Sequence, residues 1–191
     1  MGSDDAWRVA VTAGDGAPTP VRIAPAEPAD ATELAGVAAA TFPLACPESV
    51  SATDISAFVA ATLSAECFRG YLTDPGRLVL TATASGHIVG YAMLVVADPA
   101  DPADSEVELS KIYLLPGHHR SGVAAELLTA GIDWAAERGA RAVWLGVNRG
   151  NLRAQRFYRK HGFAVSGTRT FRLGASVQDD LVMRRAIGGD R

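Results

Sequence analysis

The spacing of apolar residues changes twice along this chain, and the changes divide it into helical and extended stretches. Val21–Ala26 alternates apolar and polar positions and predicts a short strand. A helix is expected to start at Pro28–Ala31 with Asp30 as its N-cap, because Leu34, Val37, Ala38 and Thr41 then recur at helical spacing; Pro43 is expected to end it. Ser51–Ser64 reads as a second helix, with Ile55, Phe58, Val59 and Leu63 on one face. Ala65–Leu72 reads as a third, stopped by the turn Asp74-Pro75-Gly76. The period then falls to two. Arg77–Ala84 and Ile88–Ala97 predict a hairpin across Ser85-Gly86-His87, and Val107–Leu115 a further strand beyond a polar loop at Asp98–Ser105.

The second half alternates. A helix is expected from about Gly122 to Arg138, burying Val123, Leu127, Leu128, Trp134 and Ala135, with Gly139 ending it. Ala142–Val147 is an apolar strand suited to cover on both faces. Asn151–His161 reads as a helix closed by Gly162. Phe163–Leu173 and Asp180–Ile187 read as two antiparallel strands. This mixed order predicts an α/β sandwich with a mostly antiparallel sheet rather than a doubly wound one. Met1–Thr19, rich in Gly, Asp, Ala and Pro, is expected to be a loose tail, with a short strand at Trp7–Val11 as the alternative; 20–191 is then one domain.

Composition narrows the function. At 48% hydrophobic residues the chain can build a core, yet no apolar run approaches the roughly 20 residues needed to cross a bilayer, so no membrane partner is expected. Two cysteines, Cys46 and Cys67, with no secretory leader, suggest a reducing, cytoplasmic setting, and both thiols are expected to be buried. Neither has metal-ligand company at the right spacing, so no metal is expected. A net charge of −3 argues against a nucleic-acid partner, which needs a positive surface.

The chemistry gathers at Leu109–Ala125, where a strand runs into a loop that opens a helix at Gly122. Unpaired amides and the helix dipole there suit a pyrophosphate, and the small Ala124 and Ala125 let it approach. His119 and Arg120 could add side-chain contacts. The chain has neither a Walker A loop nor a dinucleotide fingerprint, since Ala124 and Leu127 stand where that fingerprint needs glycine.

These residues resemble a known family. His119-x-x-Gly122-x-Ala124 is similar to the Gln/Arg-x-x-Gly-x-Gly/Ala motif of the GNAT N-acetyltransferases, and Asn151-x-x-Ala154-x-x-Phe157-Tyr158 before Gly162-Phe163 is similar to that family's second signature. Val143 to Val147, Phe171-x-x-Gly174 and Gln178-x-Asp180-Leu181-x-Met183 further resemble PaiA-type spermidine/polyamine acetyltransferases. His119 departs from the usual Gln or Arg, and Asn148-Arg149-Gly150 from the Trp-Glu-Lys usual in the PaiA type.

The resemblance implies an N-acetyltransferase that carries acetyl from acetyl-CoA to an amine, a polyamine such as spermidine being one candidate. A protein N-terminus or Lys, or an aminoglycoside-type antibiotic, is the alternative acceptor, and an acyl-CoA sensor without catalysis the alternative class. It also implies a homodimer as the candidate assembly. The coenzyme would lie along Ile112, Tyr113 and Leu114 and against the loop His119, Arg120, Ser121, Gly122, Val123, Ala124 and Ala125, with Asn151, Tyr158 and Lys160 from the following helix. Tyr158 is the expected acid for the leaving thiolate, a phenol of pKa about 10 facing a thiol of about 8.5. Glu108 is the expected base, provided burial or repulsion from Glu106 raises its pKa. Asp98, Asp101, Asp104, Glu106 and Glu108, with no intervening cation, would attract a polycation.

Overall fold

A computed structural model describes residues 8–11, 19–96 and 106–188. The alternating segments become eight strands: β1 (Arg8–Val11), β2 (Thr19–Pro25), β3 (Arg77–Ala84), β4 (His87–Val96), β5 (Glu106–Leu114), β6 (Ala142–Asn148), β7 (Ala164–Leu173) and β8 (Ser176–Ala186). They form one sheet in the order β1-β2-β3-β4-β5-β6-β8-β7. Every neighbouring pair is antiparallel except β5 with β6. The expected mixed, mostly antiparallel sheet is therefore present. The shorter alternative holds for Arg8–Val11, which pairs with Thr19–Arg22 as a strand. The rest of the expected tail, and the acidic loop with Asp98, Asp101 and Asp104, lie outside the described residues.

The helices are α1 (Ala31–Ala45), α2 (Ala52–Thr62), α3 (Ala65–Thr73), α4 (Val123–Glu137) and α5 (Leu152–Lys160). Two expectations at the ends of α1 need correcting. Pro43 lies inside the helix, which runs on to Ala45; so near the end, a missing N–H removes one ladder bond and little else. Asp30 makes no side-chain cap, because its carboxylate accepts the Glu27 amide instead. By contrast Ser51, Ser64 and Asn151 each cap their helix by accepting a third-residue amide.

Period-two alternation splits the sheet's side chains between two cores. Leu80, Ala82, Ala92 and Leu94 join Val123, Leu127, Leu128, Ile132 and Ala135 of α4 on one face. Val79, Tyr91 and Met93 turn to the other and pack with Leu34, Val37 and Phe42 of α1, Leu63 just past the end of α2, and Phe68 of α3. Each buried side chain of this size contributes about 1.5–3 kcal/mol relative to exposure.

One irregularity positions the functional site. Met93 pairs with Lys111 and Leu94 with Leu109, so Ser110 is an extra residue in β5. Such a bulge bends and twists its strand. Upstream of it Glu106, Val107 and Glu108 pair with Ala142, Val143 and Trp144, and there the β5–β6 ladder ends. Beyond that point β6 pairs only with β8, as far as Asn148. The sheet opens into a wedge between Leu109–Leu114 and Leu145–Asn148.

Candidate active site

The wedge is the middle of a cleft of about 1140 Å3 that passes from one face of the sheet to the other. Its wall includes Ser110 to Leu114, whose backbone groups turned away from β4 have no strand to pair with. Peptide groups left this way need partners, and an amide-bearing ligand laid in the wedge would supply them.

At one end the cleft reaches the N-terminus of α4. Gly122, the N-cap, has φ +90° and no side chain to cap the helix. Arg120 also has positive φ, 66°. Two left-handed residues flank Ser121, and backbone of this kind can gather successive amides into a concavity suited to an anion. A β-carbon on Gly122 would meet nothing within 4 Å, so the space beside these amides is free. Arg120, Arg153 and Lys160 line this end and give it positive charge. His119 lines it too, but its Nε2 is bonded to the Leu114 carbonyl at 3.1 Å and so ties the loop to the end of β5. Ser121 and Val123 are not in the wall. The Ser121 hydroxyl turns inward and donates to the His118 carbonyl, and the Val123 side chain is fully buried in the core.

Tyr158 stands in the middle. Its ring packs edge-on to Phe157 and Phe163, it is 8% exposed, and its hydroxyl has no hydrogen-bond partner among the described residues. Burial pushes its pKa well above the ordinary phenol value, so the proton stays on the oxygen. Asn151 also lines the cleft, with its Oδ1 occupied by the Ala154 amide.

The other end lies against α1 and α2 and carries four charged side chains. Arg169 reaches over β6 and places Nη1 3.2 Å from Glu108 and Nε 3.7 Å from Asp180. Glu106 is held separately by Arg184 at 2.7 Å. The expected repulsion between Glu106 and Glu108 is thus cancelled, each carboxylate having its own arginine. Asp180 is 7% exposed, and burial raises its pKa against the opposing pull of Arg169. The Lys111 ammonium is shifted down, first by burial. Facing these charges are Phe42 and Phe58, stacked at 4.7 Å, with Phe171 edge-on to Phe58 and Tyr113 edge-on to Phe42.

A groove along an unpaired strand edge, a helix N-terminus at one end and a buried phenol and carboxylate farther in suit an acyl-thioester transferase. Residues 46–163 match the model of the acetyltransferase (GNAT) family. The chain belongs to that family. It is 57% identical over 158 residues, 83% of its length, to an uncharacterized N-acetyltransferase of Mycobacterium tuberculosis, of which the match covers 98%. It is 31% identical over 91 residues to the streptothricin acetyltransferase of Streptomyces lavendulae, covering 48% of this chain and 46% of that one. The PaiA N-acetyltransferase of Thermoplasma acidophilum, solved with coenzyme A, superposes with a TM-score of 0.74 over 87% of this chain and 99% of that one, at 22% identity.

This GNAT protein is an acetyl-CoA-dependent N-acetyltransferase, and the residues present fit its co-substrate. The amides around Gly122 suit the pyrophosphate, and the open edge of Ile112–Leu114 suits the amide-bearing arm. Among the described residues no group of three or more His, Cys, Asp or Glu side chains is arranged to hold a metal, and no helix is long and apolar enough to cross a membrane. Both cysteines are half-buried rather than buried, and Cys46 lines the end of the cleft against α1 and α2.

Asp180, Arg169 and Lys111 are the functional candidates that sequence reasoning passed over. Asp180 was visible only inside a motif, Arg169 had no motif, and Lys111 looked like a strand residue. Their significance comes from the fold, which brings β5, β7 and β8 to one point.

Proposed function

We propose that this cleft transfers acetyl directly from the coenzyme thioester to an amine held at the α1–α2 end, with no acyl-enzyme intermediate. The Tyr158 hydroxyl carries the reading: a buried phenol, kept protonated and without a hydrogen-bond partner among the described residues, beside an unpaired strand edge. Acetyl-CoA supplies an activated acyl group when bound. Asp180 takes a proton from the incoming ammonium, and backbone amides of Ile112–Leu114 stabilise the negative oxygen of the tetrahedral species. As the C–S bond breaks, Tyr158 gives its proton to the departing sulfur and is reprotonated by the second N–H of the now cationic nitrogen, so the neutral amide and free thiol leave and one proton remains on Asp180. Asp180 suits the base role better than Glu108, because burial raises its proton affinity while Glu108 is engaged by the nearer Arg169 nitrogen.

A bystander sensor would not need a proton donor at this position. The resemblance to PaiA-type sequences makes a polyamine one candidate acceptor, but of the acidic run that would attract it only Glu106 and Glu108 lie in the described structure, and both are paired with arginine.

Acceptor-dependent release of free thiol tests the proposal, run beside calorimetry with coenzyme A. Release with at least one amine, and heat on coenzyme titration, are expected. Coenzyme binding without release to any amine would make the protein a sensor, and no heat with free or acetylated coenzyme would overturn the site itself.

A further inference from the structure

Lys111 lines the cleft and its ammonium has no carboxylate within 4.0 Å among the described residues. It donates to the neighbouring Ser110 hydroxyl at 3.1 Å. Glu108, three residues upstream, is spent on Arg169. The other charges acting on Lys111 are Arg77 and Arg169, both cationic; only Glu108 favours its charge, and burial opposes it. A half-buried cation with two cationic neighbours and no carboxylate in contact among the described residues is costly unless an anion arrives from outside.

The rest of this end sharpens what could bring that anion. Asp180 offers a negative group for an ammonium. The wall from α1 and α2, Thr41, Phe42, Leu44 to Pro47 and Phe58, carries no charge, and its aromatic rings continue into Phe171 and Tyr113. A polyamine carries only cations, and Lys111 would repel it while the far wall offered its distal ammoniums no carboxylate. Along a strand the rise is about 3.3 Å per residue, so Lys111 sits about 7 Å from Tyr113, a separation that the ends of a small amino acid and a lysine side chain readily bridge.

We infer that the acceptor is an amine that also carries a carboxylate, which Lys111 binds, together with an apolar body that rests on the Phe42–Phe58–Phe171 wall: an apolar amino acid rather than a polyamine. The inference rests on the acetyl-transfer reading above. Matched pairs isolate the carboxylate: phenylalanine against phenethylamine, and leucine against isoamylamine, with spermidine as a third arm. In the unaltered protein kcat/KM should favour the carboxylate-bearing member of at least one pair by about tenfold or more, and exceed that for spermidine. In Lys111→Met the ratio should fall to within about twofold of unity, while Lys111→Arg keeps most of it. Equal or faster reaction of the decarboxylated amines or of spermidine overturns the inference, as does a preference that survives in Lys111→Met. So does failure of both amino acids to react or to bind the coenzyme-loaded protein. If Lys111→Met does not fold, the paired comparison in the unaltered protein decides alone. Coenzyme calorimetry keeps the two readings apart, since heat with coenzyme but no carboxylate preference removes only this inference.

Discussion

The guanidinium of Arg169 lies across Gly146 so closely that a β-carbon at position 146 would overlap it. This contact lets one side chain from β7 cross β6 and meet Glu108 on β5 and Asp180 on β8. The Trp144 ring, two residues before Gly146 on β6, lies 5.4 Å from the same guanidinium. Glycine at 146 is therefore a steric condition for the charge arrangement at the acceptor end.

Gly146→Ala tests that condition. The methyl group must displace the guanidinium and loosen both ion pairs. Turnover should fall by about tenfold, equivalent to about 1.4 kcal/mol of barrier. Coenzyme affinity by calorimetry should stay within about twofold, because Gly146 is remote from the α4 cradle. An alanine variant with unaltered kinetics would show that Arg169 can relocate freely and positions nothing.

Gly122→Ala tests the opposite end. No neighbour obstructs a methyl group there, so the cost is purely the left-handed backbone at φ +90°, about 1–2 kcal/mol for a residue with a β-carbon. If the loop relaxes to escape this strain, its amides lose their common direction. Coenzyme should bind about tenfold more weakly, since 1.4 kcal/mol is a factor of ten. Calorimetry that returned the original affinity would mean that these amides do not hold the phosphates.

Much of the scaffold was legible from spacing alone, because the helices and strands bury regular faces. The turn Ser85-Gly86, with φ of 51° and 81°, was announced by its residues. The strand–loop–helix junction was equally plain, since Gly122 takes the left-handed φ that a glycine N-cap before a helix allows. The wedge was not, because it depends on where the β5–β6 ladder stops, and Ser110 carries no sign of a bulge. The base proposed above was hidden for a related reason. Glu108 lies on the strand leading to the cradle and drew attention, whereas Asp180 lies 72 positions further along and becomes relevant only when β8 pairs with β6. Local signals reveal groups that act through their own backbone; groups that act together from three strands must wait for the sheet.

Tyr158→Phe removes only an oxygen from a ring that keeps its contacts with Phe157 and Phe163. Turnover should drop by at least tenfold, at the lower end of or below the roughly 10²–10⁴ range for general acids, with coenzyme affinity unchanged. Because burial raises its pKa above the ordinary 10.0, Tyr158 should stay protonated throughout the range of an activity assay. An alkaline decline of kcat between about pH 8 and 9.5 therefore belongs to another group, and should persist in the slower phenylalanine variant. Loss of that limb in Tyr158→Phe would assign it to the phenol and contradict the burial argument.

Asp180→Asn separates function from stability by sign. The carboxyl has a folded pKa above its ordinary 3.8, owing first to burial, with Arg169 opposing and Asp179 assisting. Between the two values the native chain holds a proton that the unfolded chain has lost, so this group's contribution to stability is fully present below pH 3.8 and is lost as pH rises through the folded value. Asparagine carries no such loss, and Arg169 retains Glu108 at 3.2 Å. The Tm of the variant minus that of the parent should therefore be larger at pH 7 than at pH 3.5. Activity should move the other way. The parent's kcat/KM should rise with pH as Asp180 ionises, and the variant should lose that rise and fall by about 100-fold, the scale of a missing general base. A variant both steadier at neutral pH and slower would identify a carboxylate kept buried at a cost to stability for the sake of its proton affinity. A variant steadier but equally active would leave proton removal to water or Glu108, and would confine Asp180 to holding Arg169.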